Sequence, residues 1–307
     1  MDFNLEYLLK WLDALVPDRE RRDVADAVSR PDFGARIRLS RGYVHYRFTG
    51  PENGPVAVCV HGFSAPMIVW EKTAEALAAA GFRVLCFDLY GRGFSDRPRA
   101  VYNENLFDGE LCELLDALAV KEPVHLLGLS MGGAISAIFT ARHPERVRRL
   151  VLIAPAGTPV DVPFVAKLSS ASIIGSLFMR LFGSLILEKG ASQVFYRTAG
   201  VPEFMEKYKA QMEYKGFRRA ILDTLMHFDL SDQAASYARV GRLPLPVLLV
   251  WGDRDTVVPY ANHSMVRSLA PQAKFLSVEA VGHMPHFEKA ETVNPAIVEF
   301  LTAGGEK

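Results

Sequence analysis

The chain has 307 residues, 50% of them hydrophobic, enough for one large α/β domain with a sizeable core and an inserted subdomain. Lys+Arg and Asp+Glu both number 35, so the formal charge is zero and neither a nucleic-acid partner nor a disordered acidic tail is indicated. The three cysteines, Cys59, Cys86 and Cys112, stand in apolar or helical surroundings without C-x-x-C spacing, and read as reduced core residues of a cytoplasmic protein.

Residues 1–34 read as a helical extension. Leu5, Leu8, Leu9, Leu12, Leu15 and Val16 share one helical face, while Asp2, Glu6 and Asp13 and the lack of a cleavage site argue against a secretory signal. Such a helix either docks on the domain or lies in an interface, touching membrane or lipid; composition does not choose between them. A charged linker (17–32) follows. Residues 35–40 and 43–49 alternate around Arg41-Gly42, which predicts a β-hairpin.

The run 56–60 is continuously apolar, as expected of a strand buried on both faces of a parallel sheet. Similar runs recur at 83–87, 124–127, 150–153 and 247–250, with a weaker one at 275–278. Helical segments at 70–80, 106–118, 134–141 and 260–269 separate them. Strand–helix alternation of this kind predicts a doubly wound, mostly parallel sheet, with its sites at the carboxyl ends of the strands. Between 156 and 243 the rhythm breaks and only helix-like stretches appear, at 164–187 and 204–217. The first is apolar, but Lys167, Arg180 and its serines and glycines disfavour a membrane span, because a central arginine costs at least about 2.5 kcal/mol. The expected organisation is an extension (1–34), an α/β core in two pieces (35–156 and 243–307), and a helical lid (157–242).

The chemistry gathers around Gly128-Leu129-Ser130-Met131-Gly132-Gly133, where an apolar run stops and an alanine-rich helix begins. In a G-x-S-x-G turn the serine is held in a strained conformation that tolerates only small neighbours, and its oxygen projects above the sheet. Composition alone yields the pattern in about one chain of this length in ten, so context decides its weight. A serine nucleophile needs a base, and the base needs an orienting carboxylate. Two acids, Asp253 and Asp255, follow the strand at 247–250. Asp255 lies further out and is the candidate, whereas Asp253 is expected to bond local backbone amides. His283, freed by Gly282 just past the last strand, is the candidate base. His286 is its rival, and His45, His61, His125, His143, His227 and His263 read as structural or solvated. Backbone N–H groups of Phe63, in the loop after 56–60, and of Met131, at the helix start, are the candidate oxyanion hole.

Together, His61-Gly62-Phe63, the turn from Asp88 to Ser95, Gly128 to Gly133, Gly252-Asp253-Arg254-Asp255 and Gly282-His283 make the chain resemble the α/β-hydrolase-fold serine hydrolases from Ala35 onward. The order serine, acid, histidine is that family's order. The resemblance implies a nucleophile Ser130, an acid Asp255 (the second acid of G-D-x-D), a base His283, and no metal or organic cofactor; the turn after Asp88 would be structural. It further implies hydrolysis of carboxylic esters with apolar acyl groups, by a carboxylesterase or monoacylglycerol-lipase-like enzyme. The substrate would be a small molecule, with peripheral membrane contact allowed and no transmembrane span. The alternative is a carbon–carbon bond hydrolase of aromatic ring-cleavage products. Those relatives often carry a longer glycine-rich loop and a tryptophan after the histidine, where this chain has Phe63-Ser64 and Met284. A non-catalytic binding protein is the remaining reading, and the filled triad positions weigh against it.

Overall fold

The computed structural model describes residues 20–29, 34–160, 172–197 and 200–303. Its centre is an eight-stranded sheet in the order β1-β2-β4-β3-β5-β6-β7-β8. The strands are β1 (Ala35–Leu39), β2 (Gly42–Thr49), β3 (Val56–Val60), β4 (Arg83–Phe87), β5 (Val124–Leu129), β6 (Val147–Ile153), β7 (Val247–Gly252) and β8 (Lys274–Val278). β1, β2 and β4 pair antiparallel and all other neighbours pair in parallel.

Period-two geometry explains the continuous apolar runs. Val58, Val60, Leu126, Leu150, Leu152 and Leu249 enter one core, while Ala57, Cys59, Leu127, Val151, Ile153 and Val250 enter the other. Helices must therefore cover both faces. α1 (Glu71–Ala79) and the C-terminal helix Ala290–Thr302 pack together on one face. On the other lie α2 (Glu104–Ala117) and α3 (Met131–Arg142). This is the doubly wound sheet expected from the sequence, with the carboxyl ends of β3 to β8 on one edge.

Among the described residues, four helices stand between β6 and β7: α4 (Ser172–Gln193), α5 (Val201–Gln211), α6 (Phe217–His227) and α7 (Ala234–Val240). α7 packs on α3 and contributes Tyr237 and Val240 to the sheet's core. α8 (His263–Leu269) joins β7 to β8, and the short α9 (Pro285–Glu288) leads into the terminal helix, α10.

Several elements differ from the reading of the sequence. The helix-like stretch 204–217 is two helices, because the chain leaves α5 at Gln211 and Gly216 turns with φ +87° before α6. No helix was expected at 290–302. Val293, Ile297, Phe300 and Leu301 have the spacing of a buried face, but Pro295 inside the helix breaks the usual signal. β6 starts at Val147, before its apolar run, because Arg148 emerges from the core there.

Residues 20–29 of the linker carry structure that its charge does not suggest: a 3₁₀ turn, Val24–Ser29, and Glu20 paired with Arg218 of α6 at 3.0 Å. The helix read at 1–16 and the first part of the stretch 164–187 lie outside the described residues. Among the described residues, no helix is long and apolar enough to cross a membrane.

Candidate active site

Ser130 sits where β5 turns into α3, with φ 56° and ψ −121°. A non-glycine residue in that region carries strain, which the surroundings must hold in place. The neighbours do so by having no side chains. A Cβ on Gly128 would lie 2.3 Å from the Gly132 carbonyl oxygen, and one on Gly132 would lie 2.2 Å from the Val60 oxygen. Backbone bonds lock the turn: Ser130 N–H donates to Ile153 O at 2.9 Å, and Ala156 N–H donates to Ser130 O at 2.9 Å. Met131 opens the helix, so its N–H has no acceptor within α3.

The loop after β3 lies against this serine. A Cβ on Gly62 would sit 3.3 Å from Ser130 Cβ and 3.8 Å from its Oγ. His61 sets the loop's geometry. Its Nε2 accepts from Leu89 N–H at 2.9 Å, which puts the ring proton on Nδ1, 2.8 Å from the Gly62 carbonyl. The Gly62–Phe63 peptide is planar and trans, so fixing that carbonyl also fixes the Phe63 N–H on the opposite side. Burial lowers the His61 pKa to about 4, keeping the ring neutral as this pattern requires.

Beyond β7 and β8 stand the acid and the histidine. His283 Nδ1 is 2.8 Å from Asp255 Oδ2 and both side chains are buried. A carboxylate facing Nδ1 takes the proton side of the ring and leaves the Nε2 lone pair available. The other carboxylate oxygen, Asp255 Oδ1, accepts from the N–H groups of Val257 at 2.9 Å and Val258 at 3.0 Å. Trp251 closes the same loop by donating its indole N–H to Val258 O at 3.1 Å.

The expectation for Asp253 needs correcting. The local amides go to Asp255, and Asp253 has only Arg254 Nε, 3.7 Å from its Oδ1. His286, the rival base, is fully buried beside Trp70, with ring centroids 4.6 Å apart, and burial lowers its pKa to about 3.

Other histidines have their own partners. His45 Nδ1 pairs with Asp88 Oδ2 at 2.7 Å in a buried site. Burial pushes the Asp88 carboxyl up, but the His45 hydrogen bond and charge, His61 and the Met67 N–H together outweigh it and hold the pKa at about 2. His143 meets Asp108 and Cys112, the one group of three metal-type ligands among the described residues. Arg142 already occupies Asp108 Oδ2 at 2.8 Å.

Glu288 was not anticipated. Its carboxylate accepts from Gly282 N–H at 3.0 Å, Tyr196 N–H at 3.0 Å and Arg197 N–H at 2.8 Å, while His283 N–H donates to Val194 O at 2.9 Å. The histidine loop is thereby stitched to the segment that follows α4. The motif Gly282-His283 could not reveal this, because Tyr196 and Arg197 lie 92 and 91 residues away from Glu288.

A sheet of this order, with a strained serine after its fifth strand, defines a class, and the comparisons agree. The model of the alpha/beta hydrolase fold family matches residues 55–290, and the chain belongs to that family as a hydrolase of the α/β fold. "Lipase 1" of Psychrobacter immobilis is 28% identical over 245 residues, spanning 77% of this chain and 75% of the lipase. The 2-hydroxymuconate semialdehyde hydrolase of Pseudomonas sp. strain CF600 is 27% identical over 251 residues, 79% of this chain and 85% of that enzyme. Among solved structures, the enol-lactonase from Burkholderia xenovorans LB400 matches with a TM-score of 0.75 at 22% identity, over 87% of this chain and 100% of the lactonase. That last likeness concerns the fold alone.

Proposed function

We propose that the protein is a serine hydrolase of carboxylic esters with apolar acyl groups, working through an acyl-enzyme on Ser130. The observation that carries this reading is the buried His283–Asp255 pair at 2.8 Å, whose carboxylate on Nδ1 favours the tautomer a general base needs, on the same sheet edge as a strained serine. Ser130 Oγ bonds to the ester carbonyl carbon as its proton passes to His283 Nε2. Asp255 orients the ring and stabilises its charge. The oxyanion is received by the N–H groups of Phe63 and Met131. The carbon–oxygen bond then breaks, and the alcohol leaves with the proton from His283. Water, deprotonated by His283, adds to the acyl carbon and releases the acid and Ser130. This chain's residues supply each step without a metal or cofactor.

Apolar substrates are favoured by the exposed Val257, two residues from Asp255, and by the exposed Tyr196, whose N–H is held by Glu288 beside the histidine loop. The helices α4 to α6 would act as the lid over them. Similarity to lipases supports the ester reading. The second reading, carbon–carbon bond hydrolysis, draws on relatives named as hydrolases of ring-cleavage products. Met284 stands where that class often has tryptophan, which ranks it lower. A chain-length series of nitrophenyl esters and monoacylglycerols, run beside a ring-cleavage dienone, separates the two. Turnover of medium-chain esters at least about 10²-fold faster (kcat/KM) than the dienone is expected; the opposite ranking would replace the ester reading.

A further inference from the structure

Beyond Gly62, the loop after β3 is anchored by side chains from distant parts of the chain. Arg92, fully buried, donates Nε–H to Phe63 O at 2.8 Å, an NH1 hydrogen to Tyr90 O at 3.1 Å and an NH2 hydrogen to Thr224 Oγ1 on α6 at 2.9 Å. Gln211, the last residue of α5, is 2% exposed. Its amide NH₂ donates to Ser64 O at 2.8 Å, and its amide oxygen accepts from Gly93 N–H at 2.9 Å. With His61 on Gly62 O, three consecutive carbonyls are each held by a buried side chain.

Two of these three anchors lead into the inserted helices. Gln211 belongs to α5, and Arg92 is itself fixed by Thr224 of α6. Among the described residues no backbone N–H reaches Phe63 O or Ser64 O, whose donors are side chains 29 and 147 residues away. His61 holds the Gly62–Phe63 plane that carries the Phe63 N–H, while Arg92 and Gln211 hold the next two planes, which join it through the Phe63 and Ser64 Cα atoms. If those two planes rock, the Phe63 backbone moves with them and its N–H leaves its line, and hydrogen bonds weaken steeply off axis.

We propose that Arg92 and Gln211 are positioning residues, which make the oxyanion-stabilising loop depend on the docking of α5 and α6. The inference rests on the serine-hydrolase reading. It goes further by giving the inserted helices a role in the chemical step as well as in covering the substrate. Loosening the anchors should then penalise the transition state more than the bound substrate.

Gln211→Met keeps the side chain's length and removes both hydrogen bonds. With a preferred ester it should lower kcat by about 10-fold or more, with KM changed less than about 3-fold. The inhibition constant of a trifluoromethyl ketone, which forms a tetrahedral oxyanion on the serine, should rise by the same factor as kcat/KM falls. Thr224→Val, which frees one hydrogen of Arg92, should show the same pattern with a smaller loss. Should Gln211→Met fail to fold, Gln211→Glu carries the same expectation, being nearly isosteric and still able to accept from Gly93. Unchanged kcat, or a loss confined to KM with the ketone unaffected, would overturn the proposal. Failure of the underlying reading would look different: wild-type protein would neither turn over esters nor bind the ketone covalently.

Discussion

Both carboxylate oxygens of Asp255 are committed to named partners. One oxygen takes two backbone N–H groups and the other takes His283, all at 2.8–3.0 Å. Asparagine there would turn an NH₂ toward either the amides or the imidazole and force the wrong tautomer on the base. Asp255→Asn should therefore lower kcat by about 10³- to 10⁴-fold. Asp253, with only Arg254 at 3.7 Å, should tolerate Asn within about 3-fold. Steady-state kinetics on one ester decides it, and a reversed ranking would move the acid to Asp253. That Asp255 rather than Asp253 meets His283 was legible from its place further out on the loop and from the second-acid position of the family pattern. The local role given to Asp253 was not, because both carboxylates sit within reach of the same turn and only coordinates tell which oxygen faces which amide.

At the scale of elements, the turn between β5 and α3 depends on space that the surrounding backbone leaves. A methyl group on Gly132 would meet the Val60 and His61 carbonyl oxygens at 2.2 and 2.4 Å, atoms of the strand end that carries the candidate oxyanion loop. Gly132→Ala should cost at least about 3 kcal/mol in urea unfolding. Gly109 offers the contrast. It lies inside α2, where an added Cβ meets nothing within 4 Å. Gly109→Ala should stabilise the protein by about 0.4–1 kcal/mol, by reducing the freedom of the unfolded chain. Equal effects of the two substitutions would refute the steric account.

The elbow announced itself because strand, turn and helix are consecutive in the chain. The anchors Arg92, Gln211 and Glu288 did not, since a pairing that closes 29 to 147 residues leaves no periodic trace. α10 was missed for a local reason: its apolar spacing is regular, but Pro295 looks like a stop signal.

Across the whole molecule, acid should loosen the fold in a way its histidines define. Burial lowers His61 and His125 to about 4 and His286 to about 3. Near pH 7 these rings are neutral in both states. As pH falls through the ordinary value near 6.5, the unfolded chain takes up protons that the folded protein refuses, so stability falls toward the folded values. Glu110 and Glu288, raised by burial, act in the opposite sense by holding protons in the folded state above pH 4.5. The three lowered histidines outnumber these two carboxyls, so stability should still rise with pH between 4.5 and 6.5. His286→Leu should reduce the slope by about 1.4 kcal/mol per pH unit. Urea titrations at several pH values give this slope, and an unchanged slope would mean that His286 is protonated in the fold.

At the same scale, the sheet and its two-sided packing were legible from five apolar runs, whose side chains divide evenly between the two cores. How the inserted helices engage that sheet was not, because their contacts, polar anchors such as Gln211 and apolar residues such as Phe204 and Ile221 in one of the two cores, leave no sequence pattern that names the partner.

The central claim is that Ser130 is the nucleophile. Its most direct test is labelling by a fluorophosphonate probe, read by intact mass and by the modified peptide. The account predicts one label per chain on Ser130, and none on Ser130→Ala, whose ester turnover should fall by about 10⁴-fold or more with the fold retained. Labelling of another serine, or equal labelling and turnover in Ser130→Ala, would contradict it.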